Sequence, residues 1–185
     1  MFRYLAQPAL LSGHKFDLRL FALVTSVSPL RAYLHTEGIV RLAALPYSAS
    51  SDERRAFLTN SRVNEGGHMA AQNVTWTLQE LQLRMRARGR DPAELWRRVE
   101  AAVSLVLLAA DVALARARRG GEAASEVPER FQLLGVDVIL DGAWQPHVME
   151  LNGQPSMGFD ATGNKQVDRV KLAVLKDSAR LLLGA

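Results

Sequence analysis

Apolar and polar residues alternate along residues 16–26: Phe16, Leu18, Leu20, Ala22 and Val24 fall on one face, and Lys15, Asp17 and Arg19 on the other. That is the period of a half-buried strand. A turn at Ser28-Pro29 and an apolar run over 30–34 predict a second strand. Glu37-Gly38 predicts a tight turn into a third strand over 39–43, completing a meander. Residues 45–75, rich in Ser, Asn, Gly and Glu, read as a long loop. So long a connection is uncommon in a compact domain and points to function.

The period then changes. Thr77-Leu-Gln-Glu80 has the form of a capping box and opens a helix that runs to about Arg88, where Gly89 supplies a stop. Asp91 as N-cap and Pro92 at the first helical position open a second helix. Its apolar stripe (Leu95, Trp96, Val99, Val103, Val106, Leu107, Ala110, Leu114) ends before Gly120-Gly121, and residues 120–129 read as a linker. Apolar runs over 131–140 and 147–151, joined by a short polar loop, predict a hairpin. A last amphipathic helix is predicted over 167–183. There is no internal repeat. The order of strands, helices, strands and helix predicts an α+β fold, a mainly antiparallel sheet covered by helices on one face, in a single domain over 1–185.

Composition removes several classes. With no Cys among 185 residues, disulfides and thiolate metal sites are excluded. The apolar run over 101–115 contains Asp111 and is shorter than the roughly 20 residues that span a bilayer. Gln7 and Pro8 interrupt the apolar stretch after Arg3, so no secretory signal is expected and an intracellular protein is the default. Net charge is +4, but residues 84–119 hold nine arginines against four acids, a local +5. Such a segment faces an acidic partner or is a solvated helix face. Nucleic-acid binding would rest on these arginines alone, without a stacking platform or a reading motif.

Three constellations carry chemistry. Pairing Leu140 with His147 puts Asp137 directly opposite Glu150, with Asn152 one step beyond on the same face. Opposed carboxylates repel, and a divalent cation reverses that sign; Mg²⁺ prefers such hard oxygen donors, completed by phosphates and water. The alternative is a pair of turn-capping acids. Lys15, Asp17 and Arg19 recur at roughly 7 Å along one strand face, within reach of Arg41. That array suits a polyphosphate or is a solvated strand with its own ion pairs. Leu58-Thr-Asn60, followed by Asn64, Gly66, Gly67 and His68, offers donors for ligand oxygens as well as ordinary turn residues. There is no GxSxG, HExxH or P-loop motif, so nucleophilic hydrolase and P-loop chemistry lack support.

In this order the motifs resemble the tubulin-tyrosine ligase-like family of polyglutamylase type, whose catalytic domain is of the ATP-grasp type. The resemblance rests on Gly13-His-Lys-Phe-Asp-Leu-Arg19, Pro29-Leu-Arg-Ala-Tyr-Leu-His-Thr-Glu-Gly-Ile-Val-Arg41, Pro46-Tyr-Ser48, Leu58-Thr-Asn60, Leu134-Gly-Val-Asp-Val-Ile-Leu-Asp141 and Glu150-Leu-Asn-Gly-Gln-Pro-Ser156. It implies that Asp137, Glu150 and Asn152 hold Mg²⁺ bridging the ATP phosphates. It implies nucleotide contacts at Tyr4 and Leu5 on an adenine-contacting strand, and at Lys15, Asp17, Thr59 and Asn60. Arg19 and Arg41 become the catalytic arginines, and Arg41 and Lys171 hold the incoming amino acid. The preceding half of the ATP-grasp fold, with its phosphate-covering loop, is then missing from these residues. The implied activity is ATP-dependent addition of an amino acid, foremost glutamate, to a protein through an acyl phosphate. The implied partners are tubulin or another acidic protein and a free amino acid, with neither nucleic acid nor membrane. The implied setting is cytoplasmic, at the cytoskeleton or cilium. A rival is a truncated, non-catalytic module that binds microtubules through its basic helices.

Overall fold

The computed structural model describes residues 4–50, 52–59, 75–118, 131–159 and 164–184, without the side chains of 113–118. Its elements in chain order are β1 (Leu10–Leu11), β2 (His14–Val27), β3 (Leu30–Leu34), β4 (Ile39–Leu42), α1 (Arg54–Phe57), β5 (Thr75–Thr77), α2 (Leu78–Arg86), α3 (Pro92–Arg118), β6 (Gln132–Leu140), β7 (Pro146–Asn152) and α4 (Lys165–Leu183). The fold is α+β with a mainly antiparallel sheet flanked by helices, as the sequence predicts. The strands run β5-β4-β2-β6-β7, with β1 and β3 also paired to β2.

Local signals place the helices well. The Thr77 hydroxyl accepts from Glu80 N at 3.2 Å, and the Glu80 carboxylate accepts from Thr77 N at 2.7 Å, so the predicted capping box is formed. α2 stops at Arg86, two residues short of the prediction, where Gly89 (φ +70°) lets Arg90 N turn back to Met85 O. Asp91 caps α3 through Ala93 N at 2.9 Å. Asn164 caps α4 through Gln166 N and Val167 N, which starts that helix two residues before the predicted 167. The predicted linker at 120–129 and most of the predicted loop, 60–74, lie outside the described residues.

Three expectations are corrected. First, β3 and β4 do not form a meander. Residues Ala22 to Val27 of β2 pair with β3, and Phe16 to Arg19 pair with β4 on the same edge. Glu37-Gly38 is therefore a jog between two collinear strands, not a reversal. Glycine is needed there because a Cβ would stand 2.7 Å from Leu20 Cδ2 and 3.2 Å from the Arg19 carbonyl. Second, helices cover both faces. Leu18, Leu20, Val40, Val136 and Val138 pack with Leu81, Met85, Val99 and Val103 of α2 and α3. Phe21 and Ile39, on the opposite face, pack against Val167, Val170 and Val174 of α4. Beyond Arg19 the alternation of β2 gives way to apolar residues on both sides, which a parallel or doubly covered strand shows. Third, Tyr4 and Leu5 lie in no strand.

Gly38→Ala is expected to destabilise by about 1–3 kcal/mol, because Leu20 is fully buried and has little room to move. In a Leu20→Ala background the loss should shrink, a coupling that urea unfolding of the double-mutant cycle reads. Equal losses in both backgrounds would locate the strain at the Arg19 carbonyl instead.

Candidate functional site

β2 threads between β4 and β6, and its register sets acids against arginines on both sides: Asp17 pairs with Arg41, and Arg19 with Asp137. Opposite charges directly across an antiparallel pair attract. Here each pair closes as an ion pair. Asp137 Oδ1 accepts from Arg19 Nε at 2.5 Å, and Oδ2 accepts from Arg19 Nη2 at 3.0 Å and Arg41 Nη2 at 2.8 Å. Asp17 Oδ1 accepts from Arg41 Nε at 2.6 Å, and its other oxygen accepts from the Thr59 hydroxyl. The strand is thus neither solvated nor composed of isolated pairs, because Asp17 is 3% and Asp137 5% exposed.

Burial alone would push both carboxyls up. At Asp137 the hydrogen bonds and charges of Arg19 and Arg41 outweigh it and hold the group below its ordinary range. At Asp17, the more deeply buried, burial wins against Arg41 and Thr59 and the carboxyl is pushed up. Burial disfavours the charged form of Arg41 as well, but the two aspartates more than offset it and hold that guanidinium ionised.

The hairpin delivers the predicted neighbours by an unpredicted route. Leu140 pairs with Pro146, not His147, so the register near the turn is one residue off. Val138 pairs with Val148 and Asp137 with Glu150, which leaves Met149 as the extra residue of a bulge. That bulge restores Asp137 opposite Glu150, and it lets Val148 and Leu151 both pack on the α2/α3 core. Glu150 is exposed. Asn152 sits across from Gly135, and its side-chain oxygen accepts from Gln154 N at 2.9 Å.

Other expected site residues are more scattered. Lys15 Nζ stands 5.6 Å from the Tyr4 ring centroid, with half-buried Leu5 next in the chain. Lys171 donates to the Gly158 carbonyl at 2.6 Å. Asn60 lies outside the described residues. The structure adds Gly135, which the sequence reading missed: a Cβ there would lie 3.4 Å from Arg19 Cδ and 3.0 Å from Pro155. A glycine inside an apolar strand is the signal that marks such a close approach. In the basic segment, Arg84 stacks on Trp76, Arg90 stacks on Trp144, and Arg97 and Arg98 share Glu94.

Among the described residues no three His, Cys, Asp or Glu side chains gather tightly enough to cage a metal ion. The donors present, two carboxylates and an amide oxygen, are hard oxygens, and Asp137 already accepts from two guanidiniums. Such a set fits a Mg²⁺ that arrives with phosphate and water ligands of its own. No helix among the described residues is long and apolar enough to cross a membrane.

Fold and site together define an α+β domain whose sheet presents alternating fixed acids and arginines, in a sequence without a cysteine thiol. The sequence model of the tubulin-tyrosine ligase family matches residues 2–181, and the chain belongs to that family. It is 36% identical over 172 residues to tubulin polyglutamylase ttll-5 of Caenorhabditis elegans, covering 86% of this chain and 23% of that protein. It is 31% identical over 196 residues to tubulin polyglutamylase TTLL13 of Mus musculus, covering 97% and 23%, and 32% identical over 174 residues to human TTLL5, covering 86% and 13%. The chain therefore spans less than a quarter of the length of these relatives.

Proposed function

We propose that this chain is part of an ATP- and Mg²⁺-dependent ligase that adds an amino acid, foremost glutamate, to tubulin or a similarly acidic protein. A carboxylate takes the γ-phosphoryl group of ATP to become an acyl phosphate, releasing ADP. An amine then attacks the acyl carbon, phosphate leaves, and an amide remains. Positioning and electrostatic stabilisation dominate such phosphoryl transfer, so a site without a protein nucleophile suffices.

The observation that carries this reading is the Arg19–Asp137–Arg41 cluster with Glu150 across the ribbon. Asp137, Glu150 and Asn152 would hold Mg²⁺, which when bound neutralises phosphate oxygens. Arg19 faces the phosphates as a guanidinium fork. Arg41 and Lys171 hold the carboxylate of the incoming amino acid, and Lys15, Asp17, Thr59 and Asn60, with Tyr4 and Leu5, contact the nucleotide. The polyglutamylase names of the relatives support glutamate and tubulin, and the local +5 of residues 84–119 supports an acidic partner. Residues 1–185 act as one partial domain, and its setting follows its substrate to the cytoplasm and cytoskeleton.

Calorimetry of the chain with Mg-ATP tests the site. Asp137→Asn should weaken binding about tenfold or more, equivalent to ~1.4 kcal/mol or more. The gene product carrying this chain should incorporate labelled glutamate into tubulin, and the same substitution should abolish it. No incorporation, together with wild-type and Asp137→Asn chains indistinguishable toward Mg-ATP, would reject the reading in favour of a binding module.

A further inference from the structure

Arg19 binds Asp137 side-on. Its Nε donates to Oδ1 at 2.5 Å and its Nη2 to Oδ2 at 3.0 Å, which leaves the Nη1 end of the guanidinium as an edge without a partner among the described residues. A side-on bond to the residue directly across the ladder needs the arginine stem to come in over the next residue on that face. That residue is Gly135, which pairs with Phe21 and stands two positions from Asp137. A Cβ there would lie 3.4 Å from Arg19 Cδ and 3.5 Å from Arg19 Nε, but 3.0 Å from Pro155 Cβ. The bare Gly135 backbone is thus shared by the arginine stem and the proline, and a methyl group added to it would crowd both.

Of these three neighbours the arginine is the one that can yield. β6 is held between β2 and β7. The segment that carries Pro155 is fastened on both sides: Gln132 Nε2 donates to Gly153 O at 2.5 Å, the Asn152 side-chain oxygen accepts from Gln154 N at 2.9 Å, and Met157 packs on the cluster of Phe21, Ile39 and α4. Arg19 keeps 15% of its side-chain surface exposed and has other rotamers to move into. We infer that Gly135 is a positioning residue for Arg19: the missing side chain lets the stem lie against β6 beside Pro155 and so fixes the direction of the free guanidinium edge. What that edge meets, the phosphate oxygens of a nucleotide, rests on the ligase reading; the placement of Arg19 by Gly135 does not. A fixed edge meets an anion without losing rotamer freedom on binding, which is the advantage of preorganisation.

The test uses the full chain with Gly135→Ala and Gly135→Val. The Arg19 Nε–H proton, assigned by its disappearance in Arg19→Lys, should exchange slowly with solvent in the wild type. Backbone amides of β2 serve as the reference, so that a general loosening of the sheet cancels. Relative to them, exchange at Arg19 should quicken about threefold to tenfold in Gly135→Ala, the factor that forcing a side chain off its staggered rotamer implies, and further in Gly135→Val. The Mg-ATP dissociation constant should rise by a similar factor in Gly135→Ala while Arg19 is present. In an Arg19→Met background the same substitution should change it by less than about twofold, because the group that it displaces is already gone. Unchanged relative exchange in Gly135→Ala would overturn the inference, and so would an affinity loss of equal size in both backgrounds. Should Gly135→Val fail to fold, the smaller Gly135→Ala decides by itself. If no form binds Mg-ATP, the ligase reading falls and the exchange measurement still decides the positioning claim.

Discussion

Arg41→Met is expected to destabilise the fold by about 3–5 kcal/mol, the penalty of leaving a buried charge without its partner. Arg41 is the only described residue that touches both Asp17 and Asp137, through Nε and Nη2. Without it, Asp137 retains Arg19, but Asp17 retains only the Thr59 hydroxyl. The unfolding midpoint should drop roughly 6–20 °C, at about 2–4 °C per kcal/mol for a chain of this size. The loss should depend on pH with a definite sign. Asp17 is already pushed above its unfolded value of 3.8, and losing Arg41 pushes it further. The folded variant then binds a proton that the unfolded chain releases, so its stability falls as pH rises above 3.8. Urea unfolding at several pH values reads both effects; a loss under about 1 kcal/mol at neutral pH would mean that the network is not energetically coupled.

The second large effect belongs to the core. Leu81 is fully buried at the junction of α2, α3 and the sheet, and Leu81→Ala should destabilise by about 2–5 kcal/mol through lost transfer energy and a residual cavity. Leu83, two positions along the same helix, is 62% exposed, and Leu83→Ala should stay within about 0.5 kcal/mol of wild type. The comparison holds helix propensity constant, so a similar loss at both positions in urea unfolding would show that α2 is stabilised by its own turns and not by packing.

What was legible in the chain was what is local. Thr77 and Glu80 lie three residues apart and cap α2 whatever surrounds them, and Asp91 before Pro92 needs no tertiary partner. The alternation through Asp17 and Arg19 named the strand face that carries the site, and the resemblance of motifs named the family that the comparisons then matched. Non-local pairing was not legible. Gly38 reads as a turn because glycine commonly marks one; that the chain instead runs straight past Leu20 depends on how closely two backbones approach. Coverage of both faces depends on α4, about 140 residues after β2. Asp17 could be placed on a face but not assigned its depth, because Arg41 reaches it only once β4 is seated. Asp137 and Glu150 were expected to be opposite, and they are, through a turn register one residue off and a compensating bulge.

That bulge separates loop length from chemistry. The face presented by Glu150 is decided at Met149, inside the ribbon, and not in the 141–145 connection. Lengthening or recasting that connection leaves the acid where it is, whereas drawing Met149 into the regular ladder would set it opposite Asp137, turn the glutamate into hydrocarbon and bring Leu151 out beside the arginines. Descendants of this sequence are thus free to vary the tip of the hairpin, provided that whatever stands between Val148 and Glu150 is bulged out of the ladder.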